Sequence, residues 1–537
     1  MTNRFGIMLD LSRNAVMKVE QIKRFIDCMQ KMDYNCLELY MEDVYEIEGE
    51  PYFGYLRGRY TKEELKEIDD YASAKGIEVI PSIQVLAHFT CLAKQEVYKN
   101  IVDLNDILLI DEPKTYELID KMFLTLKGCF KSPNVNIGMD EAHMVGLGKY
   151  LSKHGYQNRI DILLNHLNKV SEIGKKYGYT MHMWSDMFYR LLCDGAYHPR
   201  PVPELPKDLV ERIPENVELV YWDYYTTEED YYDQMFTSHK NTGRKVWYAG
   251  GMHCWWGFAP QNWKGLETIK TALPSVNKNG INNVLITLWG DDGGECSYFT
   301  CLHVLYELRQ YSKGNYDKES IEKGFYQLFG VGYQDFTLLD LPNKTVKDYI
   351  DEKGRTRPQN PSKTLFYNDV FLGVMDKVVK EEPPIPYIEY ANKLEQASKR
   401  AGEFNYIFSE LSKLCLFLSI KSDLGVRTRT AYKEGNKKEL KKLVKDYKKA
   451  GKLAKEFYNA FSILWHKENK GQGWEVQDAR IGGVIMRIES ARQRLKDYLK
   501  GNIDKIEELE EEILTFRENL YYNTNSYERL ISSNAVV

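Results

Sequence analysis

No run of 18 apolar residues occurs anywhere in this 537-residue chain, which argues against a membrane-spanning helix. The opening, MTNRFGIMLD, holds no apolar stretch long enough for a secretory leader. Cysteine is sparse and unpatterned: nine are scattered along the chain without C-x-x-C spacing. That argues against paired-cysteine metal sites and a disulfide framework, and points to free thiols in a reducing cytoplasm. Charge of one sign is lacking too. Lys and Arg total 73 against 78 Asp and Glu, a net charge of -5. Nothing there attracts a polyanion, so neither nucleic acid nor a membrane is expected as partner. The sequence has no H-E-x-x-H and no carboxylate-rich calcium loop, so no metal or cofactor is expected. "GLG" at 146–148 runs on into Lys149, Tyr150 and Leu151 without the third glycine of a phosphate-binding turn.

Aromatic residues are plentiful, with 39 Tyr and 9 Trp, and they suit stacking on flat, partly apolar ligands, sugars among them. Up to residue 312, short β-rich runs alternate with amphipathic helical stretches. The expected strands are 4–11, 35–41, 77–83, 135–139, 179–184, 217–222, 245–250 and 283–289. Helical patterns such as TKEELKEIDDYASAKG (61–76) lie between them, this one opening on a Thr61/Glu64 capping box and closing on Gly76. Eight strands interleaved with helices over about 300 residues predict an α/β fold, a (β/α)₈ barrel over residues 1–312. Beyond it, 341–363 is turn-rich and EEPPIP (381–386) is a stiff spacer. Long Lys/Glu-rich helices then predict a mainly α-helical domain over 313–537, packed on the barrel. A homodimer remains open.

Polar and aromatic residues fall where the strands end: Asp10 and Arg13, Glu42 and Asp43, Gln84 and His88, Asp140 and Glu141, Trp184 and Asp186, Trp222 and Asp223, Tyr248, and Trp289 with Asp291. In a barrel these meet at the C-terminal mouth, where catalysis is sited. Asp140 and Glu141 are adjacent. A metal site would need more ligands nearby, and His143 alone does not supply them. Direct double displacement needs carboxyls on opposite sides of the scissile bond. Adjacent acids better suit a substrate that brings its own nucleophile, as a 2-acetamido sugar does when its carbonyl oxygen attacks C1.

With the motif Gly138-Met139-Asp140-Glu141 after a strand, the chain resembles glycoside hydrolase family 20, the β-N-acetylhexosaminidases. It is similar in particular to an intracellular bacterial subgroup acting on terminal β-linked GlcNAc and GalNAc. The resemblance covers most of the chain. It implies that Asp140 orients the acetamido group and Glu141 is the general acid/base. It implies that Arg13 holds ring hydroxyls and that His88 is retained in IPSIQVLAH, where Ser82 and Gln84 replace two acids. Trp184, Trp222 and Trp289 would form the aromatic wall, and Asp291 or Glu295, in WGDDGGE, would read the far hydroxyls. Glu42 or Asp43 would be the acid supporting His88, and Tyr224, Tyr225 or Tyr248 would donate to the acetamido oxygen. Trp255 and Trp256 suit either the site or barrel packing.

The expected partner is therefore a small oligosaccharide or glycoconjugate-derived glycan, cleaved from its non-reducing end with retention. Two rivals stand beside this expectation: release of a disaccharide of the lacto-N-biose type, and a carbohydrate-binding protein without turnover.

Overall fold

The computed structural model describes residues 4–347, 356–516, 521–524, 526–532 and 534. Eight parallel strands close on themselves: β1 Arg4–Asp10, β2 Cys36–Tyr40, β3 Glu78–Ser82, β4 Asn134–Asn136, β5 Thr180–Trp184, β6 Val217–Trp222, β7 Val246–Gly251 and β8 Asn283–Leu288. Their order round the barrel is β1-β8-β7-β6-β5-β4-β3-β2. Ile7 of β1 lies between Ile286 of β8 and Leu37 of β2, which closes the ring. Helices pack outside it. The helix Lys62–Ser73 starts as expected, with Thr61 Oγ1 accepting from Glu64 N at 3.1 Å and Glu64 accepting from Thr61 N at 2.9 Å.

Two features depart from the expected pattern. β4 is short because Gly138, Met139 and Glu141 take φ of 69°, 69° and 51°, so the chain has left the sheet before the acids. A small antiparallel hairpin, Val102–Leu104 with Ile107–Leu108, is inserted between β3 and β4. Asp106 in its turn accepts the His88 backbone N–H at 3.2 Å.

Strand alternation divides the side chains into two sets. Met8, Tyr40, Ile80, Trp184, Val220, Trp247, Ala249, Leu285 and Trp289 form one apolar cluster with loop residues Tyr224 and Trp255. The far larger cluster lies between strands, helices and the C-terminal region. Glu38 and His182 are also fully buried: Glu38 Oε1 accepts from His182 Nε2 at 2.6 Å, and Oε2 accepts from Asn136 Nδ2 at 3.2 Å. The His182 ring stacks on Trp247 with centroids 4.4 Å apart.

The rest of the described chain is helical. In Lys437–Glu468 the buried residues Leu440, Leu443, Tyr447, Ala450, Ala454, Phe457, Phe461 and Leu464 recur every three or four positions, one continuous apolar stripe. Phe258, from the loop after β7, packs edge-on against Phe457 and Phe461 and joins the two parts of the molecule. Of the turn-rich segment 341–363, residues 348–355 lie outside the described residues, and Pro361–Tyr367 is a helix. Among the described residues no helix is long and apolar enough to cross a membrane.

The buried Glu38 generates a prediction. Glu38→Ala strips His182 and Asn136 of their acceptor in a fully buried layer and should cost about 3–5 kcal/mol, whereas Glu38→Gln, which keeps an acceptor, should cost less. Urea unfolding followed by circular dichroism measures both, and equal midpoints for Glu38→Ala and wild type would refute the assignment.

Candidate active site

The loops after the strands enclose a cavity of about 510 Å³ at the barrel mouth, lined by Arg13, Asp140, Glu141, Trp184, Arg190, Trp222, Tyr224, Tyr225, Trp255, Trp289 and Asp291 among others. Asp140 is its most constrained acid. Gln84 Nε2 donates to Oδ1 at 2.7 Å and His88 Nε2 contacts Oδ2 at 3.1 Å, so both oxygens are engaged. The same Gln84 Nε2 lies 3.0 Å from Tyr40 Oη, while its Oε1 accepts from Met139 N at 3.1 Å. Only glycine fits at 138, because a Cβ there would lie 2.1 Å from Gln84 Oε1. Burial opposes the Asp140 charge, but His88, Gln84 and Arg13 outweigh it and hold its pKa below the ordinary value. Burial likewise opposes charge on His88, yet Asp140 lifts that imidazole to about 9.

Glu141 is more open, with its side chain 42% exposed. Its backbone N–H donates to Asp186 at 3.1 Å, and its carboxylate lies 3.5 Å from Arg190 and 4.0 Å from His88. His88, Asp140 and Glu141 present ligand atoms within 4.8 Å of one another, a spacing a cation can use, but Gln84 and His88 already occupy both Asp140 oxygens.

Arg13 reaches the cavity from the loop after β1. Asp10 caps that loop, accepting from Ser12 N at 3.0 Å, from Arg13 N at 3.2 Å and from Arg13 Nη1 at 2.9 Å. Glu42 takes Arg13 Nε at 3.1 Å, and the guanidinium lies over Tyr40 and Trp289 at 4.8 and 5.1 Å. Nη2 has no hydrogen-bond partner among the described residues. Trp184 and Trp289 approach to 5.9 Å, and Trp222 stacks on Tyr224 at 5.1 Å. Trp289 Nε1 donates to Tyr224 Oη at 2.9 Å, and the Thr287 hydroxyl is a second hydrogen-bond neighbour of that oxygen.

The structure thus brings together Arg13, His88, Asp140, Glu141, Trp184, Trp222, Tyr225, Trp289 and Asp291, with Glu42 behind Arg13 and Tyr225 exposed at the rim. Three expected residues lie elsewhere. Tyr248 is fully buried among Tyr221, Tyr232 and Phe236, because its β7 neighbours Trp247 and Ala249 take the other face of the strand. Glu295 turns away from the cavity to pair with Lys363 at 2.8 Å and Arg480 at 3.3 Å. Asp43 is held by Arg57, whose other nitrogen donates to Ser12 O, and Glu42 pairs with Arg13, so among the described residues neither expected acid hydrogen-bonds His88, which Glu42 influences through its charge alone. Trp255 lines the cavity, and Trp256 donates to His253 at 3.0 Å.

Sequence reasoning overlooked Arg190, Tyr197 and His198, and it left Asp186 without a role. Asp186 is fully buried and accepts from Arg190 Nε at 2.8 Å. Burial, reinforced by Asp140 and Glu141, pushes its carboxyl up to about 7. Their i,i+4 spacing on one helix was the available signal.

Comparison with known proteins places the sequence among glycoside hydrolases of family 20. A family model described as "Glycosyl hydrolase family 20, catalytic domain" matches residues 4–229, and one described as "Glycoside Hydrolase 20C C-terminal domain" matches 334–527. A protein of Akkermansia muciniphila named "Beta-hexosaminidase" is 28% identical over 167 residues, 26% of this chain and 34% of that protein. Human "Hexosaminidase D" is 23% identical over 292 residues, 52% of this chain and 54% of its own. The matches thus span about a third and about a half of those relatives. Among solved structures, the GH20 exo-β-N-acetylglucosaminidase of Vibrio harveyi in complex with N-acetylglucosamine aligns with a TM-score of 0.47 at 17% identity. That alignment covers 63% of this chain and 58% of that one.

The His88–Asp140 pair carries a pH signature. The folded value of His88, about 9, lies above the unfolded 6.5, so the stability it contributes is fully present below pH 6.5 and is lost as pH rises through about 9. The melting temperature of wild type should exceed that of His88→Gln most at pH 6 and least near pH 10. A gap that holds constant across this window would contradict the pairing.

Proposed function

From the premise that the chain belongs to glycoside hydrolase family 20, we propose that it is an exo-acting β-N-acetylhexosaminidase, releasing terminal β-linked GlcNAc or GalNAc with retention through an oxazoline intermediate. The observation that carries this reading is Asp140, ionised and held by Gln84 and His88 beside a tryptophan-walled cavity. Its charge accepts the acetamido N–H and balances the positive charge that develops on the group. Tyr224, with its oxygen anchored by Trp289, donates its hydroxyl proton to the acetamido carbonyl oxygen. That oxygen attacks C1, and Glu141 gives its proton to the departing glycosidic oxygen. Glu141 then takes a proton from water as the water opens the oxazoline at C1 from the vacated face.

Glu141 faces solvent at the cavity mouth. A bound sugar covers it and keeps water from the proton that it gives to the leaving oxygen. Arg13 grips ring hydroxyls with its free Nη2, and Asp291 takes those further along the ring. The nine cysteines are all unbridged, which supports a reducing, cytoplasmic setting. A further cavity of about 340 Å³ beyond Arg13 favours the rival reading, release of a disaccharide, and the size of the released sugar separates the two.

Glu141→Gln should retain sugar binding and lose about 10²- to 10⁴-fold in turnover of a natural disaccharide. The loss should shrink with a nitrophenyl leaving group, which departs without a proton; activity within a few-fold of wild type on the disaccharide would remove Glu141 from the role.

Asp140 decides the mechanism. Wild type should cleave 2-acetamido nitrophenyl glycosides and ignore their 2-hydroxy counterparts. Asp140→Asn should lose both turnover and the tight binding of a stable oxazoline mimic. Comparable rates on the two glycosides would sink the substrate-assisted mechanism.

A further inference from the structure

The loop after β8, WGDDGGE (289–295), carries Trp289 and Asp291 into the cavity and turns on itself through Gly293 N to Asp291 O at 2.9 Å and Gly294 N to Gly290 O at 2.8 Å. It has three glycines, two of them at φ of 121° (Gly293) and 61° (Gly294), and its first residues are tied to the barrel: Gly290 N donates to Asp10 at 2.9 Å, Trp289 Nε1 to Tyr224 Oη at 2.9 Å, and Cys254 Sγ to Trp289 O at 3.4 Å. Its two outer acids, Asp292 and Glu295, are anchored by the helical region. Lys363, fully buried, pairs with Asp292 at 2.9 Å and Glu295 at 2.8 Å and donates to Asp292 O at 2.9 Å. Arg480 binds Asp292 through both its side chain and its carbonyl, each at 2.9 Å, and reaches Glu295 at 3.3 Å. Tyr527 N donates to Asp292 at 2.6 Å, and Gln477 donates to Gly293 O at 3.2 Å.

The Arg13 loop meets the same junction. Asn14 Nδ2 donates to Gly293 O at 3.3 Å and to Gly473 O at 3.0 Å. Packing there leaves no slack: a Cβ on Gly294 would lie 2.5 Å from Ala15 Cβ, and one on Gly473 would lie 2.4 Å from Asn14 O. Asp140 and Glu141, by contrast, are held by Gln84, His88, Asp186 and Arg190, all from the barrel.

We infer that the helical region is the template for the hydroxyl-gripping wall of the pocket, with Lys363 and Arg480 acting as positioning residues for Asp291 and, through Gly293 and Asn14, for Arg13. The inference rests on the hexosaminidase reading for its substrate, and it divides the pocket by origin. The barrel alone sets the reacting acids, and the interdomain ion cluster sets sugar affinity. Removing a positive charge from this cluster leaves Asp292 and Glu295 in mutual repulsion, and the loop between them shifts Asp291. A displacement of about 1 Å at a substrate-positioning group can cost about 10²-fold.

The test is steady-state kinetics of Arg480→Leu, Arg480→Lys and Lys363→Met on a 2-acetamido nitrophenyl glycoside. Arg487→Leu serves as a control: Arg487 lies on the same helix but pairs with Asp369, away from the loop. Arg480→Leu and Lys363→Met should raise KM ten- to a hundredfold with kcat changed little, and Arg480→Lys should recover part of the loss. Arg487→Leu should leave KM at the wild-type value even if it lowers the melting temperature. In an Asp291→Asn background, Arg480→Leu should add little further loss, since the group it positions has already been disabled. Folded Arg480→Leu and Lys363→Met proteins with wild-type KM, or losses that multiply independently with Asp291→Asn, would overturn the inference. A crystal structure of Arg480→Leu reads the loop directly: displaced residues 289–295 support the template role, and an unmoved loop refutes it. That readout stands whether or not wild type cleaves the glycoside, so failure of the hexosaminidase reading is recognised separately, by an inactive wild type.

Discussion

The pocket is organised around one buried carboxylate that has to remain charged. Asp140 sits where desolvation favours the neutral acid, and it stays ionised because Gln84 and a protonated His88 occupy its two oxygens. Much else follows from that requirement. Gly138 has no side chain, so Gln84 can lie against the backbone there. The left-handed backbone at Met139 and Glu141 turns two successive acids toward the same mouth, which an extended strand would send to opposite faces. The hairpin turn at Asp106 holds His88 at φ 62°, an unusual conformation for a non-glycine residue.

Around this centre the chain distributes charge in pairs rather than leaving single ions. Asp10 and Glu42 flank Arg13, Asp186 backs Arg190, and Lys363 and Arg480 neutralise Asp292 and Glu295. Charged groups at a half-buried mouth are tolerated only when so matched. The matching also fixes side-chain directions, and a rigid constellation binds sugar without first paying to order itself.

The barrel was legible because its signals are local. Apolar runs of strand length, a capping box at Thr61 and polar residues at strand ends each depend on a few neighbours in sequence. Asp140, Glu141, Arg13 and Trp184, Trp222 and Trp289, expected at the barrel mouth on the same local signals, line the cavity there. Tyr248 was misplaced because its strand was read for residue type without its parity: Trp247 and Ala249 face the barrel interior, so the residue between them cannot. Glu295 was misplaced for a different reason. Its partners, Lys363 and Arg480, lie 68 and 185 positions away, and no window of sequence reveals an ion cluster closed over that distance. The hairpin at 102–108 escaped because strands of two or three residues carry no periodicity.

The central claim is that Asp140 acts on the acetamido group and that neither acid attacks the sugar. A crystal structure with a stable cyclic mimic of the oxazoline bound in the cavity addresses it most directly. The account predicts the ring nitrogen within hydrogen-bonding distance of an Asp140 oxygen, the Tyr224 hydroxyl on the atom that replaces the carbonyl oxygen, and Glu141 facing C1 without a bond to it. A mimic seated with its five-membered ring away from Asp140, or a covalent link between C1 and either carboxylate, would contradict the account.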